Sequence, residues 1–142
     1  MRQAVEAERP DRIVHLGDVV RDGQRLFSLC GGIPLEQVRG NCDSEGCGVP
    51  LEKELLFRGH RIWLLHGHTY RVKLGLGLLT EEAWNRGVDM VLFGHTHLPL
   101  CMREGRLWVM NPGTCGGGGP KATYGVIEER NGELDCRTAV IE

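Results

Sequence analysis

Aspartate, asparagine and histidine recur in this chain directly after short apolar runs. Ile13-Val14-His15-Leu16-Gly17 leads to Asp18, and Gln37-Val38-Arg39-Gly40 leads to Asn41-Cys42-Asp43. Ile62-Trp63-Leu64-Leu65 leads to His66-Gly67-His68, and Val91-Leu92-Phe93-Gly94 leads to His95-Thr96-His97. Imidazole nitrogen combined with carboxylate and amide oxygen suits divalent transition metals of borderline softness. Asp18 has two oxygens and can bridge two ions. Asn41 offers an amide oxygen, and His66, His95 and His97 offer neutral nitrogens. Two metals about 3.5–4 Å apart clamp the attacking and leaving oxygens of an in-line phosphoryl displacement and acidify a bound water.

The elements that must carry these residues follow from the pattern. Continuous apolar runs of this length read as strands buried on both faces, in a sheet covered by helices. Ligands gather outside the carboxyl ends of such strands, so the four motifs predict one shared metal centre. Residues 2–9 and 22–30 read as helical, the first closed by Pro10. The spacing over 74–86 predicts a helix with Leu74, Leu78, Leu79 and Ala83 on one face and Gly87 as its stop. Segments 12–16, 51–57 and 60–65 read as strands, the last two forming a hairpin about Arg58-Gly59. After His97, strands near 99–103, 106–110, 122–128 and 133–141 suggest an antiparallel meander, with Glu104-Gly105 and Asn131-Gly132 at turns. The first half is α/β and the second mostly β. Two sheets packed face to face with helices outside would bury all these runs.

With 142 residues the chain reads as a single domain, 1–142, that can bury about 70% of its unfolded surface. Its 17 basic and 19 acidic residues are interspersed, which argues against bulk nucleic-acid binding. The apolar runs are far too short to cross a bilayer and no signal-type stretch opens the chain, so a cytoplasmic location without membrane attachment is expected. The six cysteines include no C-x-x-C pair and read as free thiols. Many of the 21 glycines stand beside the candidate ligands, where a strand must turn sharply.

Gly17-Asp18, Gly40-Asn41-Cys42-Asp43, His66-Gly67-His68 and Gly94-His95-Thr96-His97 resemble, in order, the motifs of the calcineurin-like metallophosphoesterases. Arg39 through Glu45 and Asn111-Pro112-Gly113 are similar to the small bacterial and archaeal phosphodiesterase branch, the YfcE-like family. The resemblance implies a four-layer α/β/β/α sandwich. It also implies a site for two divalent metal ions, Mn2+ first and otherwise Ni2+, Fe2+ or Zn2+. By the same resemblance Asp18 bridges the metals, Asn41, His66 and His95 complete the second site, and His97 belongs to the first. Asn41 would also act near the phosphate. The implied reaction is hydrolysis of a small phosphodiester or other phosphate ester, by in-line attack of a metal-bound hydroxide. Cys42 stands where many relatives carry a histidine that assists the leaving group, which favours diesters with good leaving groups. Family members commonly form homo-oligomers.

One departure from the family is an absence. The family opens with a strand ending in D-x-H, and no D-x-H precedes Asp18 here. The first strand of the fold is therefore expected to be missing, leaving the first metal with Asp18 and His97 and its neighbouring strands with an unpaired edge. This favours a fragment of an active enzyme, with a non-catalytic scaffold of the same fold as the rival. Several other residues read as structural. His15 is expected to be a core histidine, His60 a solvated hairpin residue and Asp43 a loop cap. His68 is either an outer donor to the site or a turn residue. Gly113–Gly119 reads as a loop at the site rim, because the G-K-[ST] ending of a phosphate loop is absent. Trp63, Trp84 and Trp108 read as core or interface anchors.

Overall fold

A computed structural model describes all 142 residues. The elements run α1 (Arg2–Glu8), β1 (Ile13–His15), α2 (Val20–Leu29), β2 (Leu35–Gln37), β3 (Glu52–Phe57), β4 (His60–Leu65), α3 (Gly77–Arg86), β5 (Met90–Leu92), β6 (Pro99–Glu104), β7 (Leu107–Pro112), β8 (Thr123–Arg130) and β9 (Glu133–Val140). A five-stranded mixed sheet has the order β3-β4-β5-β7-β6. Its centre is parallel, β4 beside β5 and β5 beside β7, and each side is closed by an antiparallel hairpin partner. The β4–α3–β5 and β1–α2–β2 units are crossover connections between parallel neighbours, the arrangement that requires a helix between strands.

The two-residue period of the strands divides the core. Trp63 and Leu65 of β4, Val91 of β5 with Phe93 beyond it, and Leu107 and Val109 of β7 pack with Leu79 and Ala83 of α3. Ile62 and Leu64, Met90 and Leu92, and Met110 point the other way and meet Val38, Val14, Leu16, Leu134 and Ile127. The continuous apolar runs are thus buried on both faces, as the sequence pattern predicts. Trp63 is fully buried and donates its indole N–H to Glu52 at 3.2 Å, while the Arg86 guanidinium lies 4.1 Å from its ring centroid.

Two expectations need correcting. The second layer is not one sheet but two separate ribbons, parallel β1-β2 and antiparallel β8-β9. The strands after His97 accordingly do not form one meander. β6 and β7 complete the five-stranded sheet, and the chain then leaves it at Gly113 and loops across to the other layer. The second correction concerns α3, which starts at Gly77 and not at 74. Gly75 takes a φ of +147°, which breaks the helix, so Leu74 lies outside it and is 86% exposed. Leu78 is 55% exposed, and the buried face is Leu79 and Ala83, supported by Leu76.

Candidate metal centre

The abruptness of the strand ends has a backbone cause. Asp18, Val19, His95 and His97 all lie at positive φ, between +58° and +66°. This region is uncommon for non-glycine residues and costs of order 1–3 kcal/mol where a β-branched residue such as Val19 is held in it. The chain turns back within three residues of the ends of β1 and β5, which leaves the Asp18 and His95 side chains standing at the sheet edge. Gly40 makes a close approach possible: a Cβ there would lie 2.2 Å from Asp18 Oδ1 and 2.7 Å from the Asp18 amide nitrogen. The loop bearing Asn41 can therefore lie directly on Asp18, and Cys42 donates its backbone N–H to Asp18 Oδ1 at 2.9 Å.

Asp43 holds this junction together. Its Oδ1 accepts from the Val20 N–H and its Oδ2 from the Gly40 N–H, each at 2.9 Å. Burial alone would raise its pKa, but backbone N–H groups of Gly40, Val20 and Asp18 outweigh that and hold the carboxyl below its usual range. The first turn of α2 is thus capped from a loop 23 residues away. His15 behaves as a core histidine, packed beside Gln37, with its basicity lowered by burial. His60 is not free in solvent: its Nε2 pairs with the Gly132 carbonyl at 3.0 Å and ties the two hairpins together.

His66 is 3% exposed and its Nδ1 lies 2.8 Å from the Leu16 carbonyl. A carbonyl can only accept, so Nδ1 carries a proton and Nε2 is the nitrogen left facing the site. His66 Nε2 lies 3.1 Å from His95 Nδ1 and 3.3 Å from Asp18 Oδ2. An imidazole nitrogen this close to a carboxylate oxygen needs a proton or a cation to make the contact favourable. The anchoring of the opposite ring nitrogen by a backbone carbonyl is the usual support of a metal-ligating histidine. His68 joins the group, its ring centroid 5.5 Å from that of His66 and 6.1 Å from that of His95. Its Nδ1 is buried with no hydrogen-bond partner. Desolvation lowers the basicity of His68 and His95 alike, with neighbouring cations adding to the effect, and so favours their neutral, electron-donating forms.

The structure therefore brings Asp18 and His95 each against His66, with Asn41 on the adjoining loop. These side chains touch one another, and no three of His, Cys, Asp or Glu stand apart at ligating geometry. His97 is placed differently: its ring packs on the glycine loop, where a Cβ on Gly118 would lie 2.7 Å from Nδ1. The loop at 113–119 thus packs against His97. Asn41 has its amide nitrogen 3.6 Å from Cys42 Sγ. The Cys42 thiol is pushed up by the Asp18 charge first and by burial second, which keeps it protonated.

One residue that organises the site carried no role in the sequence analysis. Asn111, fully buried at the end of β7, donates to the Gly94 carbonyl at 2.8 Å and to Thr96 Oγ1 at 3.0 Å. Its own carbonyl accepts from the Gly113 N–H at 2.9 Å. It clamps the Gly94–Thr96 turn, and with it His95. The Asn111-Pro112-Gly113 string marked the position without disclosing its contacts.

A mixed α/β fold with Asp, Asn and His side chains at the carboxyl ends of its strands matches the phosphoesterase arrangement that the motifs imply. The chain belongs to the calcineurin-like phosphoesterase superfamily, whose domain profile matches residues 1–132. It is 31% identical over 138 residues to the phosphodiesterase YfcE of Escherichia coli K12, covering 82% of this chain and 71% of that one. A solved structure of a predicted phosphoesterase from Streptococcus pneumoniae superposes with a TM-score of 0.79 at 21% identity, over 98% of this chain and 80% of the other. A Vps29 variant from Entamoeba histolytica shares the fold at TM-score 0.77 and 17% identity, over 99% of this chain and 88% of that one. No helix is long and apolar enough to cross a membrane.

Proposed function

We propose that the chain is a metal-dependent phosphodiesterase-type hydrolase, acting on a small phosphodiester by in-line displacement at phosphorus. The observation that carries this is the convergence of strand-end donors on His66, whose Nε2 lies 3.3 Å from Asp18 Oδ2 and 3.1 Å from His95 Nδ1 while its Nδ1 is anchored on the Leu16 carbonyl. Asp18, Asn41, His66 and His95 would hold divalent ions together with His97, and His68 is added as a further donor. Two such ions, Mn2+ first, would neutralise phosphate charge and make hydroxide available near neutral pH.

The chain's own residues do the rest. The Leu16 carbonyl keeps the His66 proton on Nδ1, and the Asn111 clamp aims His95. The amide of Asn41, at the exposed edge, is placed to meet a phosphate oxygen. Cys42 stays a neutral thiol and supplies no strong acid, so leaving groups that depart unaided are favoured. This function belongs to residues 1–142 as one domain, working in the cytoplasm, with homo-oligomers expected.

Hydrolysis of bis(p-nitrophenyl) phosphate with added Mn2+ or Ni2+ tests the proposal. Turnover that stops on chelation and is lost in Asp18→Ala is expected. Turnover that survives exhaustive chelation would refute metal dependence. The separate placement of His97 favours a second reading, a non-catalytic scaffold of the same fold. Stoichiometric capture of a protein partner with no turnover at any metal would establish it.

A further inference from the structure

The loop after β4 carries a cation that no carboxylate of the chain neutralises. The loop is a run of tight turns: the Tyr70 N–H donates to the Gly67 carbonyl at 3.1 Å, and the Leu74 N–H to that of Arg71 at 2.8 Å. Val72, inside the second turn, is 4% exposed and pins the loop against Gly67, where an added Cβ would lie 3.0 Å from Val72 Cγ2. The same point is 3.6 Å from Phe93 Cβ, so the loop is fixed on the strand ends that present His66 and His95. Lys73, next after this anchor, is exposed. Arg61, Arg86 and Arg137 each have a glutamate partner, whereas Lys73 and Arg39 have none.

Lys73 lies within electrostatic reach of two other loops. Burial first and the Lys73 charge second lower the basicity of His95, beyond β5. The Cys42 thiol, beyond β2, is pushed up most by the Asp18 charge, and Lys73 acts against that. Arg39 bears on His68 in the same sense, behind burial and the neighbouring His66. One unpaired ammonium is therefore held where the loops after β2, β4 and β5 come together.

We infer that Lys73 is a specificity-determining residue that binds a second anionic group of the substrate, so that the chain selects phosphate esters carrying one beside the scissile phosphate. The inference rests on the phosphoesterase reading of the site. The two carboxylates nearest the donors are already engaged: Asp18 accepts from the Cys42 N–H, and Asp43 from the Val20 and Gly40 N–H groups. Their charges are offset by those of Arg39 and Lys73, so the charge of bound divalent ions would be left for the substrate to balance. A simple diester, with its single negative charge, balances it less well than a substrate with a further anion. A lysine suits such a group, since its ammonium is a point charge with rotatable donors on a flexible stem and imposes no planar geometry.

The test compares two diesters with the Mn2+-supplemented chain: p-nitrophenyl 4-carboxyphenyl phosphate and its methyl ester, which differ only in the added carboxylate. An exposed ion pair is worth up to about fivefold. The native chain should therefore favour the carboxylate in kcat/KM by about three- to fivefold, chiefly through KM, and the preference should shrink as salt rises from about 0.05 to 0.5 M. Lys73→Met should abolish the preference and Lys73→Arg restore most of it. Arg130→Met, which removes a cation from the far end of β8, should leave it intact. Equal kcat/KM for the two diesters in the native chain, or a preference that survives Lys73→Met or ignores salt, would overturn the inference. Absence of turnover with both diesters would count against the phosphoesterase reading alone. Equilibrium dialysis of the two unactivated phenyl analogues then reads the same preference as a ratio of dissociation constants, and equal constants would overturn the role of Lys73.

Discussion

Substituting Gly40 by alanine isolates the packing that lets the site form. The residue is not at positive φ, so alanine meets no conformational obstacle there, and the only conflict is with Asp18. A Cβ would stand 2.2 Å from Asp18 Oδ1, so the carboxylate must retreat by about 0.8 Å even to reach 3.0 Å. Side-chain rotation cannot relieve everything, because the Asp18 amide nitrogen is only 2.7 Å from the same point. The loop and the end of β1 must therefore separate, stretching the 2.9 Å bond from the Cys42 N–H to Asp18. Overpacking of this kind costs about 1–3 kcal/mol of stability.

Displacements near 1 Å cost on the order of 100-fold in activity, and lost support of a ligand costs about 10–100-fold in metal affinity. Calorimetric titration with Mn2+ of native chain and Gly40→Ala, each checked for folding by circular dichroism, measures the second effect without requiring turnover. Gly116→Ala serves as control, because nothing lies within 4 Å of its added methyl. A folded Gly40→Ala that binds Mn2+ within twofold of the native chain would refute the claim that contact between Gly40 and Asp18 shapes the site.

Asp43→Ala removes the acceptor of two backbone N–H groups and should destabilise by about 1–3 kcal/mol in urea denaturation. Asn111→Leu leaves the Gly94 carbonyl, Thr96 hydroxyl and Gly113 N–H without their partner. It should cost about 2–4 kcal/mol, read as a fall in the denaturation midpoint, and weaken Mn2+ binding with it. Burial lowers the folded-state pKa of His15 below 6.5, so the unfolded chain binds more protons there as pH falls. The stability contribution is present above the unfolded pKa and is lost on acidification. The urea midpoint should therefore fall between about pH 7 and 5, and His15→Gln should flatten that slope. Cys101 and Cys136, on β6 and β9, have their sulfur atoms 2.9 Å apart, and burial keeps Cys136 strongly in the thiol form. Mild hydrogen peroxide should convert this pair to a disulfide, giving two water molecules per peroxide. Thiol titration should then fall from six to four, and Cys136→Ser should prevent that step.

Much of the fold was legible because both helices and strands of this protein are written in their burial periods. The runs at 62–65 and 90–92 are apolar at every position, as expected of strands covered on both faces. The Asn131-Gly132 and Arg58-Gly59 turns and the Gly87 stop were readable from local backbone preference. The start of α3 was not, since the apolar spacing of Leu74 and Leu78 continues past a glycine whose φ of +147° no periodicity reveals. The tether of His60 to Gly132 was equally hidden, joining positions 72 residues apart.

The sequence by itself determined which side chains could bind a metal and that they follow strands, because residue type and the abrupt end of an apolar run are local properties. It also determined the family, through the order of its motifs. Only the tertiary structure decided how those ends meet. Asp18, His66 and His95 converge because β1, β4 and β5 end on one side of the molecule, while His97 turns onto the glycine loop. The roles of Asn111 and of the buried His68 nitrogen likewise depend on packing between segments far apart in the chain. A donor's identity is a property of one residue, whereas its tautomer, its neighbours and the edge beside it exist only once the strands are assembled.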